Sequence, residues 1–149
     1  MRHPQTWFVV ADGAHLRVLM RDRNGFTIVT TASSIDAHHA ASDLGSDRPG
    51  RSLESVGAAH HAIEPRSDPH DRAKRSFAHT VAEIVNEAVR RDAFVRWVLL
   101  APPKTLEAIK AALDGRAAEM LVAEQPKDLV KLPEGELRDR LSEIEIHLL

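Results

Sequence analysis

The sequence predicts an α/β fold in which helices pack on the faces of one mixed sheet. Near the N-terminus, runs of β-branched and aromatic residues alternate with two short turn sequences. Apolar residues then recur at helical spacing between Phe77 and Val89. An unbroken apolar run, Trp97–Ala101, follows them and is typical of a strand that is covered on both faces.

The first three strands are predicted to form an antiparallel meander. Thr6–Ala11 is rich in β-branched and aromatic residues and stops at Asp12-Gly13, which is a strong turn signal. His15–Arg21 follows, and the favoured hairpin dipeptide Asn24-Gly25 separates it from a third strand over Phe26–Ala32. Turns this short can join only antiparallel neighbours.

The second half of the chain is predicted to alternate helices with strands. A first helix begins near Asp71, and the strand Trp97–Ala101 comes after it. A second helix ends at Asp114-Gly115, a fifth strand covers Ala118–Ala123, and a third helix covers Glu134–Leu149. The resulting order, β-β-β-α-β-α-β-α, is that of ribonuclease H-like folds, and the rules for connections allow few other arrangements.

One long segment, residues 33–71, lacks periodicity and is predicted to be a surface excursion between the third strand and the first helix. Its centre, Ser42–Ser55, is rich in charged residues, glycine and serine and cannot bury itself. Connections longer than about 15 residues in a compact domain are usually functional or disordered. Because surface loops often carry function, we expect the functional site in this segment.

The composition restricts the classes of function. A length of 149 residues suits a single domain spanning residues 1–149, and a net charge of -2 gives no general attraction to nucleic acid, so we expect no DNA partner. The absence of cysteine excludes disulfides, thiolate metal sites and cysteine nucleophiles. With no signal peptide and no run near the roughly 20 apolar residues of a membrane span, we expect a soluble, cytoplasmic protein.

Several motifs carry a resemblance to a known family: Trp7–Ala14, Ser42–Arg51, His61–Pro65, Leu100–Lys104 and Lys127–Leu129. Through them the chain resembles the bacterial host-attachment proteins, which implies a role in attachment to host cells. That family in turn looks like the ribonuclease H-like middle domain of archaeal and eukaryotic peptide-chain release factors. In that domain a Gly-Gly-Gln tripeptide follows the sheet meander. This sequence contains no Gly-Gly-Gln, so peptidyl-tRNA hydrolysis by that tripeptide is not expected.

The most specific motif, Ser46-Asp47-Arg48-Pro49-Gly50-Arg51, indicates a site for phosphate or RNA. Its Pro-Gly dipeptide suits the centre of a type II turn. Such a turn can place Arg48 and Arg51 on one side, where both guanidinium groups can grip phosphate. The candidate binding residues are Asp43, Ser46, Asp47, Arg48, Arg51, His61 and Lys104.

Three of these candidates, Asp43, His61 and Lys104, lie outside the motif, and the two acids have an alternative role. Lys104 follows a buried strand, at the edge where ligands gather in open α/β sheets. His61 can stack on a base or donate to a phosphate. Alternatively, Asp43 and Asp47 neutralise the arginines and hold the loop against the body of the protein, or the motif contacts a protein partner.

The predicted function is therefore non-catalytic binding, with contact to the ribosome or tRNA and with no cofactor or metal. Two-metal phosphodiester cleavage needs several carboxylates at strand ends. The fourth strand ends in Ala101-Pro102-Pro103 without an acid, so Asp12 is interpreted as a turn former. One alternative is a phosphoester hydrolase that uses Asp12, Asp47 and His61. The other is a protein-interaction module, homodimeric through an exposed edge strand, that affects host attachment indirectly.

Overall fold

The computed structural model describes residues 5–34 and 69–148. Within these ranges the chain forms five strands and four helices. The strands are β1 (Thr6–Ala11), β2 (His15–Asp22), β3 (Gly25–Ser33), β4 (Arg96–Leu100) and β5 (Leu121–Gln125). The helices are α1 (Pro69–Arg90), α2 (Pro103–Ala111), α3 (Gly115–Met120) and α4 (Glu134–Leu148).

The five strands form one mixed sheet in the order β3-β2-β1-β4-β5. β2 pairs antiparallel with both β1 and β3, and the two turns of the predicted meander connect them. β4 runs parallel to β1, and β5 runs parallel to β4. Parallel neighbours need crossover connections, which α1 and the α2–α3 pair provide. The predicted α/β fold, with helices packed on one mixed sheet, is confirmed.

The central strand β1 is buried along its whole length because helices cover both faces of the sheet. Successive side chains of a strand point to opposite faces. Trp7, Val9 and Ala11 accordingly pack in one core with α1, α2 and α3. Phe8 and Val10 pack in a second core with α4. The apolar faces predicted for the first and last helices lie in these two cores.

One prediction about the elements was wrong: the fifth strand is Leu121–Gln125 rather than Ala118–Ala123, and a short helix, α3, precedes it. Ala118, Glu119 and Met120 favour helix, and only the residues after them favour strand. Packing also holds the helix in place. The indole N–H of Trp97, which is fully buried, donates to the carbonyl oxygen of Ala117 at 2.8 Å. Between α1 and the end of α4, the element order therefore contains one helix more than predicted.

The bounds of the predicted excursion also change at both ends. Ser33 still belongs to β3, and α1 begins at Pro69, where proline suits the first turn of a helix. The core of the excursion, with its Ser-Asp-Arg-Pro-Gly-Arg motif, lies outside the described residues. Among the helices of the described part, none has the length and apolar character to cross a membrane.

Candidate functional site

A cleft lies at the sheet edge where the parallel strands β1, β4 and β5 end. Asp12 follows β1, Pro102 and Pro103 follow β4, and residues 126–131 follow β5. Carboxyl ends of parallel strands meet at one edge, and ligands of open α/β sheets bind in the crevice there. The cleft encloses about 770 Å³, which is within the usual range for ligand pockets.

The cleft floor begins with a tight turn that Asp12 organises. Its Oδ1 accepts hydrogen bonds from the backbone N–H groups of Ala14 at 2.8 Å and His15 at 2.7 Å. The Nδ1 of His15 lies 3.1 Å from the same oxygen. A side-chain carboxylate that replaces backbone acceptors in this way stabilises a turn. The structure thus agrees with the interpretation of Asp12 as a turn former.

Gly13, in the same turn, is in close contact with the aliphatic part of Lys74 from α1. A Cβ atom added at Gly13 would lie 2.6 Å from Cγ of Lys74 and 3.0 Å from its Cδ. Only a residue without a side chain leaves room for this approach. The contact holds the stem of Lys74 across the turn, so that its ammonium group belongs to the cleft wall.

Lysines from three separate elements line the cleft: Lys74 from α1, Lys104 from α2 and Lys131 from the connection after β5. Arg75 joins them in a smaller adjoining cavity. The carboxylates in the same walls are those of Asp12, which is engaged in the turn, and of Asp71 and Asp128. Cations therefore outnumber the remaining acids.

No carboxylate in the described part of the chain forms an ion pair with any of these four cations. Several cations elsewhere on the surface are paired, for example Arg21 with Glu145 at 3.0 Å, Lys110 with Glu124 at 2.9 Å, and Arg116 with Asp92 at 3.0 Å. The hydrogen bond to Glu124 raises the pKa of Lys110. Positive charge that is left unneutralised in a crevice attracts anionic ligands.

Arg17 of β2 fixes the segment that carries Lys131. Its guanidinium group donates to the carbonyl oxygens of Val130 at 3.3 Å and Leu132 at 2.5 Å. The two acceptors flank Lys131 in sequence, so this clamp sets where the lysine leaves the backbone. Val130 itself is buried in the second core.

Of the predicted site residues, Lys104 lies in the cleft, as expected from its place after β4. The other six, Asp43, Ser46, Asp47, Arg48, Arg51 and His61, lie outside the described residues. Ser34 and His70 line the cleft close to the points where residues 35–68 leave and rejoin the described chain.

Sequence reasoning missed Lys74, Lys131 and Thr105. Lys74 could have been suspected because glycine in a strand-ending turn often marks a close approach. Lys131 lies just beyond the Lys127–Leu129 motif, but nothing local distinguished it from a solvated lysine. Among residues 5–34 and 69–148, no three histidine, aspartate or glutamate side chains are grouped so that they could hold a metal ion. Two members of the alternative hydrolase set, Asp47 and His61, are not in these ranges.

Comparison with known proteins gives a family match and several structural likenesses, including the two that follow. The model of the family described as "Protein required for attachment to host cells" matches residues 7–141. The crystal structure of an archaeal translation termination factor has a TM-score of 0.49 and 11% identity, with 97% of this chain and 41% of that chain covered. A structure described as an archaeal protein has a TM-score of 0.44 and 9% identity, with 97% and 40% covered. This chain thus spans about two fifths of the length of each. No curated protein matches it.

Proposed function

This chain belongs to the family of proteins required for attachment to host cells. We propose that it contributes to attachment by binding RNA of the translation apparatus. The ligand, ribosomal RNA or tRNA, would lie in the cleft and contact the segment that carries Arg48 and Arg51. Host attachment would then be an indirect consequence of a cytoplasmic activity.

The observation that carries the proposal is the cluster of unpaired cations in the cleft. Lys74, Lys104 and Lys131 come from elements far apart in sequence, yet they line one crevice without an ion-pair partner in the described part of the chain. A polyanion can replace the missing carboxylates, and the release of its counterions makes such binding favourable and salt-dependent. A local patch is sufficient even though the net charge is -2.

Binding is favoured over hydrolysis because the one acid of the hydrolase set in the described part has a structural role. Asp12 is only 9% exposed, and three hydrogen-bonding groups of its own turn converge on Oδ1. A general base or metal ligand needs an oxygen that reaches the substrate or the ion. The three lysines, in contrast, have exposed side chains whose ammonium groups meet no carboxylate within residues 5–34 and 69–148.

The test is co-sedimentation with bacterial ribosomes, and fluorescence anisotropy with tRNA, across a salt series. Each phosphate contact contributes about 0.7 to the salt-dependence slope for a single strand. The double variant Lys104→Ala/Lys131→Ala should therefore bind more weakly, with a slope lower by about 1.4. Arg48→Ala/Arg51→Ala should behave in the same way.

The matched control is Arg91→Ala/Arg116→Ala. It removes two positive charges, as the test variants do, near the C-terminal end of α1. Arg91 lies about 25 Å from Lys74 at a helical rise of 1.5 Å per residue. The control should bind like the unmodified protein. Equal loss in both double variants would indicate a general charge effect and overturn the site. No association at low salt would overturn the function itself.

A second candidate function, a homodimer formed through β3, rests on a different observation. β3 is an edge strand of the sheet, and its nine residues contain no charged side chain and no proline. Ile28 and Val29 are exposed there. Edge strands without such protection tend to pair with another chain. Light scattering tests this: a dimer that Val29→Lys converts to a monomer supports it, and a monomeric parent protein rejects it.

A further inference from the structure

A second cavity, of about 240 Å³, opens beside the cleft between the N-terminal turns of α1 and α2. Its volume is below that of pockets for drug-sized ligands, and it suits a small group better than a whole nucleoside. Four residues are shared with the cleft, so the cavity is a side pocket of the same site. It is lined by Asp71, Lys74, Arg75, Lys104, Thr105 and Ala108.

The first feature that indicates an anionic ligand is the N-terminus of α2. The helix has nine residues and begins at Pro103, after Pro102, and no side chain caps it. Its first backbone hydrogen bond runs from the N–H of Leu106 to the carbonyl oxygen of Pro102 at 2.8 Å. The N–H groups of Lys104 and Thr105 thus have no acceptor within the helix, and no acidic residue occupies the first turn.

The second feature is independent of the helix end. Thr105 is only 8% exposed and lines both cavities, yet its hydroxyl has no hydrogen-bond partner in the described part of the chain. Buried polar side chains nearly always have a partner. Because this hydroxyl is not among the fully buried side-chain atoms that lack a partner, it reaches the cavity space and is available to a ligand that can accept its proton or donate to it.

The third feature is charge. Lys74, Arg75 and Lys104 line the side pocket against the single carboxylate of Asp71. None of the three cations has an ion-pair partner in the parts of the chain that the structure describes. The stem of Lys74 is held by its close approach to Gly13, so part of the arrangement exists before any ligand binds.

We propose that this side pocket binds one phosphate group. The N–H groups of Lys104 and Thr105 and the Thr105 hydroxyl contact its oxygens, and the three cations neutralise its charge. The inference rests on the proposed function, since it names the subsite where the phosphate of a ligand in the cleft is anchored. The phosphate comes either from an RNA backbone or from a small phosphorylated molecule.

The experiment is an amide NMR titration of the full chain with inorganic phosphate, with pyrophosphate and, separately, with a short RNA. The expected result is saturable shifts of the Lys104 and Thr105 amides with phosphate, and displacement of phosphate by the RNA. Thr105→Val keeps the shape and removes the hydroxyl, so it should weaken phosphate binding roughly tenfold. Thr80→Val is the matched control, since Thr80 lies on α1 outside both cavities and should leave binding unchanged.

The outcomes separate the two proposals. Phosphate shifts at Lys104 and Thr105 that RNA does not displace support the subsite, identify a small phosphorylated ligand and overturn the RNA proposal. RNA binding that depends on Lys131, without phosphate shifts at α2, overturns the subsite and leaves the RNA proposal standing. Equal shifts with chloride at the same concentration also overturn the subsite, because they indicate no selection for phosphate. Unchanged phosphate affinity in both Thr105→Val and Lys74→Glu/Arg75→Glu likewise overturns it.

Discussion

The aliphatic stem of Lys74 crosses directly over Gly13, so that a methyl group at Gly13 would come within 2.6 Å of Cγ of Lys74. This contact joins the first turn of the chain to the start of α1 and places a cation at the rim of the cleft. Cγ lies near the backbone, so it has little freedom to move aside. The packing of α1 on the sheet and the position of a binding residue therefore depend on the same glycine.

Gly13→Ala is expected to lower the free energy of unfolding by about 1–3 kcal/mol, because the added methyl forces Lys74 or the start of α1 to shift. Urea denaturation measures the change. The double variant Gly13→Ala/Lys74→Ala should recover most of the loss, since the second change removes the clashing atoms.

The control for Gly13→Ala is Gly135→Ala. Gly135 lies in the first turn of α4, and a Cβ there would meet no atom within 4 Å. That variant should be neutral or more stable, by up to about 1 kcal/mol. A loss of stability at Gly135 as large as that at Gly13 would contradict the role of the close contact.

Asp12→Asn and Asp12→Ala separate a structural role of Asp12 from a chemical one. The asparagine variant would still offer an oxygen to the N–H groups of Ala14 and His15, so the free energy of unfolding should fall by less than about 1 kcal/mol. The alanine variant would leave both donors without this acceptor, which should cost about 1–3 kcal/mol. Thermal and urea unfolding measure the difference. Loss of ligand binding in Asp12→Asn, with unchanged stability, would show that the charge itself acts on the ligand.

Arg17→Met is expected to loosen the segment that carries Lys131, because the hydrogen bonds to Val130 and Leu132 are lost while the apolar stem remains. We expect a stability loss of about 1–2 kcal/mol and faster hydrogen exchange of backbone amides in residues 128–132. Arg140→Met, on the exposed surface of α4, is the control. Slower exchange of these amides in the unmodified protein and in Arg140→Met than in Arg17→Met would support the clamp. Identical exchange rates in all three proteins would reject it.

Asn86 connects α1 to the turn between α2 and α3 and is 1% exposed. Its Oδ1 accepts from the N–H of Asp114 at 2.9 Å, and its Nδ2 donates to the carbonyl oxygen of Ala112 at 3.3 Å. Asn86→Ala should therefore destabilise the protein by about 2–3 kcal/mol, because two backbone groups lose their partners and a small cavity forms.

The control for Asn86→Ala is His79→Ala on the exposed face of the same helix, which should change stability by less than about 0.5 kcal/mol. Equilibrium unfolding in urea gives both values. Equal stability of the two variants would mean that the buried amide does not hold this turn.

The sequence was sufficient to predict most elements because the signals that define them are local. Asp12-Gly13 and Asn24-Gly25 mark the two turns, and the apolar face of α1 recurs along its own residues. The exception was the stretch before β5. Ala118–Met120 is helical, and the pairing of the Trp97 indole with Ala117 is a contact between residues 20 positions apart.

The cleft was predictable only in part. Lys104 could be placed there because it directly follows a buried strand, and the ends of parallel strands meet at one edge. Lys74, Thr105 and Lys131 show no local pattern that separates them from other residues of their type. Their importance comes from neighbours distant in the chain, and the candidates of residues 42–61 remain predictions.

The sequence by itself determined most of the strands and helices, the turns that make the first three strands antiparallel, and the family to which the chain belongs. Hydrophobic periodicity and turn chemistry act over a few residues, so they can be recognised without coordinates. The tertiary structure alone decided which cations share a crevice and which are neutralised. That outcome depends on how the crossover helices bring Lys74 over Gly13, and Thr105 and Lys131 to the same edge of the sheet.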